Sequence, residues 1–174
     1  LFRIPDWVDM SHPRTGKQMA GYRILGLVGA GAMGQVYLCD NQSEPEKPVA
    51  LKVLPKDADP EAKGRFKREI LANSFFSHEG ALEVYDAGKD DHGNHYLAME
   101  FFDGRDLEKV LDETQRLPAK EAALLARQVF ETLGASHAAG LVHRDVKPAN
   151  ILLSWDGKTA KLMDYGIAVI EDLN

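Results

Sequence analysis

From Leu141 to Leu153 the chain reads Leu-Val-His-Arg-Asp-Val-Lys-Pro-Ala-Asn-Ile-Leu-Leu. Asp145, Lys147 and Asn150 bring a carboxylate, an ammonium and a primary amide into one short stretch. Each type suits a different task. A carboxylate orients a hydroxyl and takes its proton, and an ammonium answers negative charge that grows during a reaction. An amide oxygen gives a hard divalent cation a neutral ligand. A second group lies upstream. Gly29, Gly31 and Gly34 form G-x-G-x-x-G, and glycines let backbone N–H groups approach phosphate oxygens without Cβ obstruction. Lys52 follows 18 residues after Gly34, at the end of Val49-Ala-Leu-Lys52.

These groups need elements to hold them. Ile151 to Leu153 is an apolar run that reads as a buried strand, which leaves Asp145 to Asn150 on the loop before it. The glycine spacing alone also occurs in dinucleotide-binding folds, where strand runs into helix. Here Gln35-Val-Tyr-Leu-Cys39 is β-branched and apolar, so strand, glycine turn and strand make a hairpin. In a strand over Val49–Lys52, Ala50 and Lys52 share one face. Asp59-Pro60-Glu61 reads as a helix start, with Asp59 as N-cap and Pro60 in the first turn. That helix carries Phe66 and Ile70 inward, with Lys63, Lys67 and Arg68 toward solvent.

Further strands are expected from Ala81 to Gly88 and from His95 to Phe101, joined by the turn Lys89 to Asn94. Asp90, Asp91, His92 and His95 are metal-ligand types, but their spacing across a Gly-Asn turn makes them loop residues. Asp106 is a candidate cap for a short helix from Leu107 to Leu111. Pro118 opens a long helix that ends near Gly140, and its apolar positions outrun one narrow stripe. A hairpin with an Asp-Gly turn at Trp155-Asp-Gly-Lys158 joins Ile151–Ser154 to Thr159–Met163.

The chain has 174 residues, 44% hydrophobic and 28% charged, with net charge −6. That length suits one domain with a real core. Net acidity argues against nucleic acid or an anionic membrane as the main partner. A single cysteine, Cys39, forms no internal disulfide and fits a reducing, cytoplasmic compartment. No apolar run reaches the length of a spanning helix. The start, Leu1-Phe-Arg-Ile-Pro, has neither an initiator Met nor a signal-peptide apolar region, so a chain cropped at its front is expected.

The motifs, taken in order, resemble the eukaryotic-type (Hanks-type) serine/threonine protein kinases, including bacterial ones. The string H-R-D-V-K-P-A-N matches their catalytic loop, and Lys147-Pro148 resembles the serine/threonine subclass. Val49-Ala-Leu-Lys52 is close to V-A-I-K, and Asp164-Tyr-Gly166 stands at D-F-G. The resemblance covers residues 22 to 174. It implies an α+β, two-lobed fold: a small β-rich lobe with one helix, joined by a hinge to an incomplete helical lobe. The expected division is a lead-in over 1–20, with Trp7 packed on the domain, then the small lobe over 21–101. The hinge end and the first part of the large lobe take 102–174.

The resemblance also implies roles. Asp145 would be the catalytic base, Lys147 the charge at the γ-phosphate, and Lys52 the cation at the α- and β-phosphates, aligned by Glu69. Gly29, Gly31, Gly34, Val36, Ala50, Met99, Glu100, Phe102, Asp106 and Leu152 would surround ATP. Within that set, Met99 is the gatekeeper, Glu100 and Phe102 offer backbone groups to the purine, and Asp106 reaches the ribose or merely caps its helix. Asn150 and Asp164 would hold Mg²⁺.

Three departures stand out. Asn73 replaces an apolar residue one turn beyond Glu69, Tyr165 replaces Phe, and His78-Glu-Gly80 replaces H-P-N. The ten residues after Asp164 contain no Ser or Thr and no A-P-E, although Arg144 before Asp145 implies control by activation-loop phosphorylation. The expectation is therefore a kinase acting on protein Ser/Thr, weakly active or inactive as this chain alone, with a regulatory partner or self-association. The alternative is a nucleotide-binding pseudokinase, or an inactive kinase fragment, that acts as a signalling or binding module by its conformation.

Overall fold

A computed structural model describes residues 3–31, 34–41, 44, 47–165 and 169–170. The chain divides into two compact units, Leu1–Phe66 with Val84–Phe101, and Lys67–Glu83 with Phe102–Asn174.

The first unit is built on an antiparallel six-stranded sheet in the order β1-β2-β3-β4-β6-β5. Its strands are β1 (Gln18–Met19), β2 (Tyr22–Gly31), β3 (Gly34–Asp40), β4 (Val49–Leu54), β5 (Val84–Lys89) and β6 (His95–Glu100). β4 is central, and all six of its residues are buried. Its odd-numbered residues Val49, Leu51 and Val53 join Ile24, Tyr37, Cys39 and Ala98 in one apolar cluster. The turn between β5 and β6 is made by Asp90, whose carboxylate accepts N–H groups from His92 and Asn94. Helix α1 (Pro60–Phe75) begins as its residues dictate, with the Ala62 N–H donating to Asp59 Oδ1 at 2.9 Å. Its first half, through Phe66, belongs to this unit.

Residues 3–20, the described part of the segment 1–20 expected as an extended lead-in, are folded onto this sheet. They supply β1 and a bridge from Asp9 to Leu27, and Trp7 stacks on Phe101 at 5.8 Å.

The second unit places a three-stranded sheet against two helices. Its elements are β7 (Gly104–Asp106), α2 (Leu107–Thr114), α3 (Ala119–Ala138), β8 (Leu141–Val142), β9 (Ile151–Ser154), β10 (Ala160–Leu162) and β11 (Val169–Ile170). The sheet runs β10-β9-β7, and β8 pairs with β11. Val110, Leu125, Val129, Ile151, Leu153, Ala160 and Leu162 form its main core. On α3 the buried residues Leu125, Val129, Thr132 and Ser136 make a single stripe, while Phe130 is 70% exposed.

Three expectations need correction. The strand expected from Ala81 begins at Val84, because Ala81 and Leu82 instead run parallel to Leu162, with Leu162 N–H donating to Gly80 O at 2.7 Å. Pro118 is the residue before α3 and not its first residue; Gly140, at φ 73, ends the helix as expected. On α1 the inward positions are Phe66, Glu69 and Ala72, whereas Ile70 is only partly buried.

Candidate active site

Register alone gathers the chemistry-bearing residues of the first unit. Gly29 lies opposite Val36 and Gly31 opposite Gly34. Val36 lies opposite Lys52, and Ala50 lies opposite Met99. Cross-strand partners share a face, as do alternate residues of one strand. Gly29, Val36, Ala50, Lys52 and Met99 therefore occupy one face of the sheet, and the apolar cluster of Tyr37, Leu51 and Ala98 takes the other.

The three glycines are not equivalent. Gly34 has φ +101, and a Cβ there would lie 2.1 Å from Val53 O, so the hairpin itself requires glycine. A Cβ at Gly29 or Gly31 would meet nothing within 4 Å. The protein's own packing does not demand glycine at those two positions, and the bare backbone lies open. Lys52 is buried, with Nζ 5.9 Å from the centroid of the Phe66 ring. Glu100 ends β6 and is half-buried.

In the second unit the loop after β8 is organised by polar contacts. His143 is almost completely buried. Its Nδ1 accepts the Asp145 N–H at 3.2 Å, and its Nε2 lies 3.1 Å from Met163 O. A neutral imidazole with its proton on Nε2 satisfies both bonds. Burial holds the His143 ring below the usual histidine range. Arg144 turns through a left-handed conformation at φ 64, which presents Asp145.

Asp145 Oδ2 accepts from Lys147 Nζ at 2.8 Å and from Asn150 Nδ2 at 2.9 Å. The Lys147 hydrogen bond, followed by that of Asn150, holds the Asp145 carboxyl below the ordinary carboxylate range. Asn150 Nδ2 also donates to Asp145 O at 2.8 Å. With its nitrogen committed to Asp145, the amide turns Oδ1 the other way. The Met163 N–H donates to Asn150 O at 3.0 Å, which ties the following hairpin to the loop. Asp164 comes next, also left-handed at φ 63.

Tyr165 packs its ring 4.5 Å from His143 and 6.0 Å from Phe76. Its hydroxyl is buried and finds no hydrogen-bond partner among the described residues. Burial pushes that phenol up to about 12. Gly166, the third residue of that motif, lies outside the described residues.

The remaining candidates are distributed as follows. Glu69 is buried on α1, and the Asn73 side chain donates back to the Glu69 carbonyl at 2.8 Å. Asp106 is the N-cap of α2, its carboxylate accepting the Lys109 N–H at 2.8 Å and pairing with Lys109 Nζ at 2.8 Å. Of the two tasks open to Asp106, the cap is the one seen. Leu152 lies opposite Asp106 in the β7–β9 pair and alternates away from the core residues Ile151 and Leu153. Phe102 is half-buried just ahead of β7.

Two contributors had no signal in the sequence. The Gln128 amide bridges α3 to the β9–β10 hairpin, accepting from Ala160 N–H and donating to Lys158 O. Trp155 donates its indole N–H to Asp103 at 2.9 Å and lies against the Arg105 guanidinium.

The protein kinase domain family matches residues 22–172 of this chain. Among curated relatives, the serine/threonine-protein kinase PknA of Mycobacterium tuberculosis is 39% identical over 168 residues, covering 92% of this chain and 38% of the relative. The serine/threonine-protein kinase pkn3 of Myxococcus xanthus is 36% identical over 164 residues, covering 91% and 30%. The serine/threonine-protein kinase PknE of Mycobacterium bovis is 38% identical over 157 residues, covering 89% and 27%. The chain thus spans 27% to 38% of the length of these relatives. No helix among the described residues is long and apolar enough to cross a membrane.

Proposed function

The chain belongs to the protein kinase domain family, and from that premise we propose that it serves transfer of the γ-phosphoryl group of ATP to serine and threonine hydroxyls of proteins. The observation that carries this reading is the Asp145–Lys147–Asn150 constellation, with all three side chains joined at one carboxylate oxygen. Asp145 orients the acceptor hydroxyl and takes its proton as the oxygen attacks phosphorus. The hydrogen bond from Lys147 holds the Asp145 carboxyl below the ordinary range, so it is ionised at neutral pH. Lys147, at the same carboxylate, is within reach to neutralise charge on the transferred group.

The family generally uses ATP and a divalent metal, and the residues present fit both. Asn150 Oδ1 and the Asp164 carboxylate are hard oxygen donors of the kind Mg²⁺ takes. Bound there, the ion would neutralise phosphate charge. The open backbone at Gly29 and Gly31 suits close approach by phosphate oxygens. Val36, Ala50 and Met99 offer an apolar face to adenine, with Lys52 on that face for the α- and β-phosphates. We assign residues 21–101 to the small lobe and 102–174 to the first part of the large one. The setting we assign is the cytoplasm, with a protein and not a nucleic acid as acceptor, in keeping with a net charge of −6.

Nucleotide binding tests the site. MgATP should raise the melting temperature in a concentration-dependent way, and Asp164→Ala should remove the Mg²⁺-dependent part of that rise. No shift in the parent chain would overturn the reading. Phosphoamino-acid analysis tests the acceptor: phosphoserine and phosphothreonine are expected, and predominant phosphotyrosine would reject the subclass. A second reading, a nucleotide-binding module without turnover, is favoured by the polar Asn73 bonded back to Glu69. Binding with no transfer to any protein acceptor would select it.

A further inference from the structure

The protein kinase match begins at residue 22, yet the segment ahead of it is bonded to the strand that leads into the glycine hairpin. Leu27 exchanges both of its backbone groups with Asp9, each bond 2.9 Å. Ile24 donates to Lys17 O at 2.9 Å and accepts from the Gly16 N–H at 2.8 Å. The segment therefore covers the outer edge of β2, which would otherwise present unpaired N–H and C=O groups. Val8 is buried beneath this seam. Gly26 marks the closest approach: a Cβ there would lie 2.6 Å from Val8 Cγ1 and 2.9 Å from Asp9 O.

The position of the grip matters. The β2–β3 register shifts between Ile24 and Gly26 and again between Leu27 and Gly29. Irregular pairing weakens the hold of β3 on this part of β2. The two bonds from Asp9 fall between those shifts, two residues before Gly29. Two residues before Asp9, Trp7 stacks on Phe101 with rings 5.8 Å apart and 21° from parallel. Phe101 follows directly on Glu100. One tripeptide thus holds both the strand feeding the glycine hairpin and the end of β6.

We propose that Trp7-Val8-Asp9 is a clasp that positions the glycine hairpin against the end of β6, and so sets the affinity for adenine nucleotide. Trp7 and Val8 are positioning residues; neither is assigned contact with the nucleotide. The proposal rests on the nucleotide-site reading above. Releasing the clasp leaves β2 held by an irregular ladder, so only a fraction of molecules keep the hairpin in its binding position. Apparent affinity falls by that fraction.

The test compares Trp7→Ala, Trp7→Phe and Met10→Ala in the whole chain, by amide hydrogen exchange and by MgATP titration. Met10 lies next to the clasp but is 56% exposed. Trp7→Ala should cut protection of the Leu27 amide about tenfold, leave the Leu51 amide in β4 unchanged, and raise the Kd for MgATP about tenfold. Trp7→Phe should restore both to within about twofold, since it keeps the ring stack. Met10→Ala should change neither. Equal loss of protection at Leu27 and Leu51 would mean global destabilisation and overturn the proposal. So would an unchanged Kd in Trp7→Ala when the parent chain binds. If the parent chain binds no MgATP, the kinase-site reading fails, and the exchange split at Leu27 still upholds or overturns the clasp.

Discussion

Strand β4 and the loop from His143 to Asn150 each carry proposed catalytic residues, and they are built by opposite means. β4 buries six residues in a row, and its pairing with β3 and β6 is regular throughout. Lys52 is carried there by a scaffold whose stability comes from apolar area, a graded quantity in which no single contact decides. The loop buries His143 and Asn150, two polar side chains, and bends through a left-handed residue, Arg144. Its order rests on directional bonds: His143 to Asp145 and Met163, and Asn150 and Lys147 to Asp145. Removing a partner of His143 or Asn150 strands a buried polar group, which costs about 1–3 kcal/mol. The sheet can absorb small changes, while the loop works as a unit.

The largest effect expected from this contrast is kinetic. Asp145→Asn keeps the shape of the side chain and an oxygen for Lys147 and Asn150, but removes the carboxylate proposed as the base. In a chain extended to the length of its relatives, turnover in a peptide phosphorylation assay should fall by about 10²–10⁴, while the MgATP-induced rise in melting temperature persists. Comparable loss of both would make Asp145 a binding residue and erase the distinction between loop and sheet.

The same contrast explains what could be read in advance. The shared face of Ala50 and Lys52 follows from alternation, a physical rule, and was legible before any coordinates. Val36 and Met99 were named through the resemblance and join that face only through the strand register. The loop was legible only as a spelled motif. No periodicity foretells that Arg144 and Asp164 adopt φ 64 and φ 63, since non-glycine residues in that region depend on their surroundings. Nor could composition reveal that residues 7–9 clasp β2. Trp7 was expected to pack on the domain without a named partner. Gly26 inside an apolar strand is a second hint, since glycine there marks close approach of another backbone. Asn73 was recognised as a departure, but its bond to the Glu69 carbonyl required the helix geometry.

The next expected effect is on pH dependence. Burial favours neutral His143, so its pKa is lower folded than unfolded. Below the unfolded value, about 6.5, the unfolded chain takes up a proton that the folded chain resists. Stability from this group is complete above about pH 6.5 and is lost as pH falls toward the folded value, at most about 1.4 kcal/mol per pH unit. Asp145, also depressed, contributes with the same sign, but only below about pH 4. The melting temperature should therefore fall between pH 6.5 and 5, and His143→Asn should flatten that slope. An unchanged slope would mean that His143 titrates alike folded and unfolded, and the loop would then owe nothing to its neutral ring. Protonation of Nδ1 would also oppose the Asp145 N–H that donates to it, so turnover should decline over the same range.

The smallest effect runs the other way. Tyr165 brings its hydroxyl into the cluster of Ala72, Phe76, Ala81 and Leu141, where that oxygen is buried without a partner among the described residues. A buried hydroxyl deprived of water loses its hydrogen bonds and regains none. The ring itself is well placed, packed on His143 and Phe76, and phenylalanine keeps those contacts. Tyr165→Phe should therefore stabilise the chain by about 1 kcal/mol, a rise of about 2–4 °C in melting temperature for a chain of this size. This is the reverse of what truncating the polar loop would do, because here the polar atom has no bond to lose among the described residues. A fall in melting temperature on Tyr165→Phe would show that the hydroxyl is bonded after all, and the cluster around Tyr165 would then belong with the directional loop and not with the apolar scaffold.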